Sequence, residues 1–260
     1  MGTFFIVFII FGILIVGGFI VLIAFVIKKT TEPKTIAFIE DEKQKMHANV
    51  LKKRKELSPH KKANMYSQIT DAMVFNSKKA VTYYKLLGTI FNENRKPIVA
   101  FERIERGGHT KGHMYAVTKK DEFYFDFTGL DATFYHNGEL LGRFDKSGTI
   151  YNKDSQSIGK AKHPVKVSFQ LDFFKRSNHR LGEGLFPLIL NGRKLATINV
   201  APNYDDINYN PSVSSVFEDL GFGTPIITLS ENETPTPEEE KWLLAFAIFE
   251  TAFHGHWLIP

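Results

Sequence analysis

The chain has 260 residues, 33 Lys+Arg against 28 Asp+Glu, a formal net charge of +5, and 43% hydrophobic residues. That composition is globular and excludes collagen-like, mucin-like and wholly disordered classes. The absence of cysteine excludes a disulfide framework, a thiolate zinc site, an iron–sulfur cluster and a cysteine nucleophile.

The first element is apolar. From Phe4 to Ile27 there are 24 consecutive uncharged residues, and a helix of that length, at ~1.5 Å per residue, exceeds a hydrocarbon core of ~30 Å. A secretory signal would need a basic start and an apolar run of roughly 7–15 residues. Here Met1-Gly2-Thr3 is uncharged and the run is longer. Residues 1–27 are therefore expected to be an uncleaved transmembrane anchor. The Lys/Arg excess begins after it, at Lys28-Lys29, which predicts an outside N-terminus and a cytoplasmic C-terminal domain. Gly2 is no myristoylation signal, because Ile6 stands where Ser or Thr is required.

Residues 28–72 form a basic connector. Residues 28–64 hold 11 Lys/Arg against 5 Asp/Glu, so the remainder of the chain is close to neutral. A nucleic-acid partner, which wants a basic folded domain, is not expected. Residues 36–57 have a helical pattern with a sparse stripe of Ile39, Met46, Val50 and Leu57, and Ser58-Pro59 stops it and restarts a short helix to about Thr70. One destination for this helix is an anionic lipid surface, met by Lys52, Lys53, Arg54, Lys55, Lys61 and Lys62 at about 1 kcal/mol per basic residue near the headgroups. That requires a helix lying flat: standing upright, Lys52 would be ~35 Å from the anchor, against a Debye length of ~8–10 Å. The other destination is a solvated stalk or weak coiled coil, in which Lys43 and Lys53 would occupy the seam.

From about residue 73 the period becomes two. Phe123, Phe125 and Phe127 alternate with Glu122, Tyr124 and Asp126, and Val165, Val167, Phe169, Leu171 and Phe173 alternate with polar residues. Antiparallel strands covering a core on one side have this pattern. Further strands are expected at 81–91, 97–104, 113–119, 132–136, 139–145, 148–152, 157–162, 185–190, 193–200 and 224–229. Asn137-Gly138 and Asn191-Gly192 sit where tight hairpins need positive φ. The segments 135–144, 151–161 and 190–198 share a pattern of apolar or aromatic residue, polar turn, then Leu or Ile followed by Gly or Ala. The small residue after Leu141, Ile158 and Leu195 would let a neighbour approach closely.

The last helix begins with a capping box, Thr236, Pro237 and Glu239, with Glu238–Glu240 complementing the helix dipole. From Trp242 to Phe253 it is apolar on all sides apart from Glu250 and Thr251. Such a helix is buried in protein or in lipid, and a central carboxylate, at about 2.5–3.5 kcal/mol on insertion scales, favours protein. The fold class that follows is mainly β: an N-terminal transmembrane helix, a helical basic connector, and over 73–260 a closed antiparallel barrel around a buried C-terminal hydrophobic helix at about 238–254.

Hairpins such as "YHNGELLGRF" and "YNKDSQSIGKA", followed by the terminal helix "KWLLAFAIFETAFH", resemble the tubby C-terminal-like barrel superfamily, which includes tubby proteins, phospholipid scramblases and LURP-one-related proteins. The resemblance covers roughly residues 75–260. It implies about a dozen strands around a central helix and a membrane-associated role in phospholipid recognition. The tubby headgroup-binding residues have no counterpart here, and the scramblases' cysteine-rich segment and a calcium-binding acidic loop are missing.

Catalytic motifs are not found: no Gly-x-Ser-x-Gly elbow, P-loop, dinucleotide fingerprint or His-Glu-x-x-His. His109 and His113 have metal-like spacing but are flanked by Gly107, Gly108 and Gly112, which favour a turn. No catalytic residue and no cofactor is assigned. The expected function is a membrane-anchored, non-catalytic binder of anionic phospholipid headgroups or of a membrane-associated partner. A metal-dependent hydrolase using His109 and His113 and a protein-binding scaffold are the alternatives.

Overall fold

The computed structural model describes residues 15–22, 24–25, 28, 35–59, 64–80, 83–106, 111–129, 131–161, 185–199, 225–254 and 256–257. The expected strand at 165–173 lies outside them. Its elements are helix α1 (Ile36–Arg54), a 3-10 turn (Met65–Gln68), strands β1 (Ala72–Ala80), β2 (Tyr83–Phe91), β3 (Pro97–Arg106), β4 (Lys111–Val117), β5 (Glu122–Thr128) and β6 (Asp131–His136). They continue with β7 (Glu139–Phe144), β8 (Thr149–Asn152), β9 (Ser157–Ala161), β10 (Leu185–Leu190), β11 (Arg193–Asn199), β12 (Ile227–Leu229), helix α2 (Pro237–His254) and β13 (His256–Trp257).

The thirteen described strands belong to one sheet, in which β1 to β12 pair antiparallel with their sequence neighbours and β13 adds in parallel to the outer edge of β1. The period-two pattern sets its faces. Phe123, Phe125 and Phe127 turn inward and Glu122, Tyr124 and Asp126 outward. Asn137 and Gly138 take φ of 51° and 82°, and Asn191 and Gly192 take 52° and 78°, the conformation that two-residue hairpin turns demand. At Gly142 (φ 154°) a Cβ would collide with the Tyr151 carbonyl and come within 2.8 Å of Trp242. This is the close approach expected of the small residue after Leu141.

Inside the sheet lies α2, with every residue from Trp242 to Ala252 buried. Trp242, Phe246, Phe249 and Phe253, at helical spacing, meet the inward aromatics. Phe134 lies 5.6, 5.4 and 5.2 Å from the first three rings, and Phe127 lies 4.9 Å from Phe253. The capping box is formed: Thr236 N donates to Glu239 Oε2 (2.8 Å) and Glu239 N to Thr236 Oγ1 (3.3 Å). Burial opposes ionisation of Glu239, but bonds from Thr236 and Asn191, with the Arg193 charge, hold its carboxyl below the ordinary range. At the other end Arg103 reaches in from β3, donates to the Ala252 carbonyl, pairs with Glu105 at 2.9 Å and lies 4.2 Å from the Phe253 ring.

Two expectations are corrected. Among the described residues the sheet is not closed into a barrel. His256 and Trp257 pair with Ala72 and Met73 and so occupy the edge of β1 that a closing strand would need. Between that edge and β12 the described residues form only the single bridge Thr70↔Pro225, with Ile226 N donating to Ile69 O at 3.0 Å, and one bridge is not a ladder. The transmembrane helix expected over Phe4–Ile27 is also overturned: among the described residues no helix is long and apolar enough to cross a membrane. Of residues 4–27, the described ones are 15–22 and 24–25, all helical, while 23, 26 and 27 lie outside the described residues. Residues 1–14 lie outside the described ones.

The connector takes neither expected course, because α1 docks on the outer face of the sheet. Val50 and Leu57 are buried there against Ala100 and Val117, with Leu51, Leu87 and Tyr115 beside them, and Met46 is buried too. β3 is consequently covered on both faces: Phe101 belongs to the inner core and Ala100 to the plug under α1.

Candidate functional site

Charged contacts fasten α1 in place. Glu42 receives both Arg106 Nη1 and Nη2, at 2.8 and 2.5 Å. Glu102, fully buried, accepts from Asn49 at 2.9 Å and meets Lys85 at 2.5 Å. Glu122 lies between His47 (2.8 Å) and Arg54 (2.9 Å). Burial alone would raise the Glu122 carboxyl, but hydrogen bonds from His47 and Arg54 and the Arg54 charge bring it below the ordinary carboxylate range.

These pairings split the basic run. Arg54 is spent on Glu122 and on the carbonyls of Thr118 (3.1 Å) and Asp121 (3.3 Å). It is a docking residue, so the lipid-facing role expected of it as a member of the basic run does not describe its contacts. Lys52 and Lys55 are exposed and Lys53 is half-buried. Lys61 and Lys62 lie outside the described residues.

The same pairings assemble a basic edge. Lys119 Nζ donates to the carbonyls of Arg54 (3.4 Å) and Lys55 (3.3 Å), which brings the β4–β5 turn, with exposed Lys119 and Lys120, against the end of α1. Ser58 N donates to Pro97 O at 2.8 Å, which brings in the β2–β3 turn, with exposed Arg95 and Lys96. Arg95, Lys96, Lys119 and Lys120 are not among the residues expected at a site from the sequence. A signal for them exists: paired basic residues in two turns whose connected strands, β3 and β4, are neighbours, so both turns emerge at one end of the sheet. Beside this edge a half-open groove of about 230 Å³ is lined by the end of α1 and the outer face of β1 and β2.

Of the two metal candidates, only His113 lies among the described residues. His109 lies outside the described residues. His113, on β4, has Nδ1 2.9 Å from the Tyr124 hydroxyl and 3.5 Å from Asp126 Oδ1. Burial, with the Asp126 charge, pushes the Tyr124 phenol up. Among the described residues no cluster of three or more His, Asp or Glu could hold a metal ion.

No family model matches this chain, and neither the curated proteins nor the solved structures yield a match.

Proposed function

We propose that this protein is a non-catalytic binding module that engages anionic phospholipid headgroups with the basic edge, lying against a membrane surface. The observation that carries this reading is the convergence of three separate segments. The end of α1, the β2–β3 turn and the β4–β5 turn each contribute exposed Lys or Arg at one end of the sheet. Clustered in this way, the charges can approach a surface together within a Debye length of ~8–10 Å, and α1 need not lie flat on the bilayer. Antiparallel hairpins in sequence order with an apolar terminal helix inside them support the kinship with the tubby-like group in order of elements; the open edge departs from it.

Co-sedimentation of the full chain with phosphatidylcholine vesicles, with and without phosphatidylserine, tests the reading. Binding should rise with the anionic lipid and fall in 1 M salt, where the Debye length is ~3 Å. Replacing Lys52, Lys55, Lys119 and Lys120 by Gln should cut the charge-dependent part by about fivefold per lysine, from ~1 kcal/mol each. Equal binding to both vesicle types removes the reading.

A further inference from the structure

The groove beside the basic edge has two unlike walls. The sheet supplies Val74, Thr89 and Phe91, and Pro97 opens β3 beside them; α1 and the turn after it supply Leu57 together with the charged pair Lys53 and Glu56. An apolar floor next to a cluster of cations matches the two halves of an anionic amphiphile.

Resting on the headgroup reading above, we infer that this groove seats one alkyl chain of an anionic lipid whose phosphate is held at the basic edge. Charge complementarity selects this occupant. Lys53 lines the groove, Lys52 and Lys55 flank it in sequence, and Lys96 directly precedes Pro97, with Glu56 the single acid among the lining residues. A neutral apolar peptide would leave those cations unanswered. Size limits the occupant too. An apolar cavity of about 150 Å³ admits a benzene-sized molecule, so 230 Å³ takes a segment of one chain and not a two-chain lipid. The stem of Lys53 can line the groove while its ammonium stays wet, as long basic side chains do. The phosphate of a seated amphiphile then lies at the end of the groove where the charges are.

The test is a calorimetric titration of the full chain with n-alkyl phosphates from butyl to decyl, below micelle formation, alongside alkyltrimethylammonium ions of the same lengths. Affinity for the phosphates should rise by about fourfold per methylene that enters and then level off once the groove is full, while the ammonium series stays far weaker. Thr89→Trp, and separately Val74→Phe, should flatten the phosphate series by filling the groove. Flat or absent alkyl phosphate binding, while anionic vesicles still sediment preferentially, overturns the chain seat and leaves the headgroup site standing. A rise shared equally by the ammonium series also overturns it. Loss of both alkyl phosphate binding and vesicle charge preference takes down the headgroup reading as well.

Discussion

The two long helices among the described residues are nearly equal in length, 19 residues in α1 and 18 in α2, yet they are held by opposite means. α2 lies inside the sheet, buried over its whole middle, with its polar side chains gathered towards its two ends. α1 lies outside and buries only Met46 and Val50; Glu42, His47, Asn49 and Arg54 tie it to acids, an arginine and carbonyls of the sheet. Removing α2 would empty the core, whereas removing α1 would expose a small plug and several charges. The contrast separates the two jobs of the chain: α2 makes the fold, and α1 carries its positive charge to one end of it.

Three changes probe that contrast, in decreasing order of effect. Phe246→Ala deletes a fully buried ring in contact with Phe134, Phe144 and Trp242. Denaturant unfolding should show a loss of about 3–5 kcal/mol; a loss under about 1 kcal/mol would mean that α2 is not the centre of the core. Thr236→Ala removes one half of the capping box and should lower stability by about 1 kcal/mol, read as a lower urea midpoint with unchanged slope.

Glu122→Gln acts on α1 alone. It should change global stability by no more than about 1 kcal/mol while speeding amide hydrogen exchange across Ile36–Arg54. Acid should do the same to the unaltered protein. The Glu122 carboxyl titrates below its unfolded value of about 4.3, so its hold on α1 is complete above that pH and is lost as pH falls through the lower folded value. Exchange in α1 that responds to acid equally with and without the Glu122 carboxylate would assign the strap to other contacts.

Much of the fold was legible because local chemistry repeats along the chain. The Phe123–Phe125–Phe127 alternation, the Asn-Gly turns, Gly142 and the Thr236–Glu239 box are each set by neighbours within a few residues. β1 was not legible beyond its start: Asn76, Ser77, Lys78 and Lys79 show no apolar alternation, and this stretch is a strand because β2 pairs with it along its length. The burial of Glu102, Arg103 and Glu105 on a strand covered on both faces is likewise invisible until α1 and α2 are both in place. At the site, Lys52, Lys53 and Lys55 stood out as a run, while Arg95, Lys96, Lys119 and Lys120 did not.

The sequence by itself determined the alternating strands such as Phe123–Phe127, the two Asn-Gly turns, and that the residues from Trp242 onward must be enclosed, because periodicity, turn conformation and apolarity are local properties. Only the tertiary structure decided that β13 takes the edge of β1 and leaves the sheet open, that α1 folds back onto the outer face, and that Arg54 is paired with Glu122 while Lys52 and Lys55 stay exposed. Those outcomes depend on which distant surfaces meet, and a pairing across 60 or more residues, such as Arg54 with Glu122, leaves no mark in either local pattern.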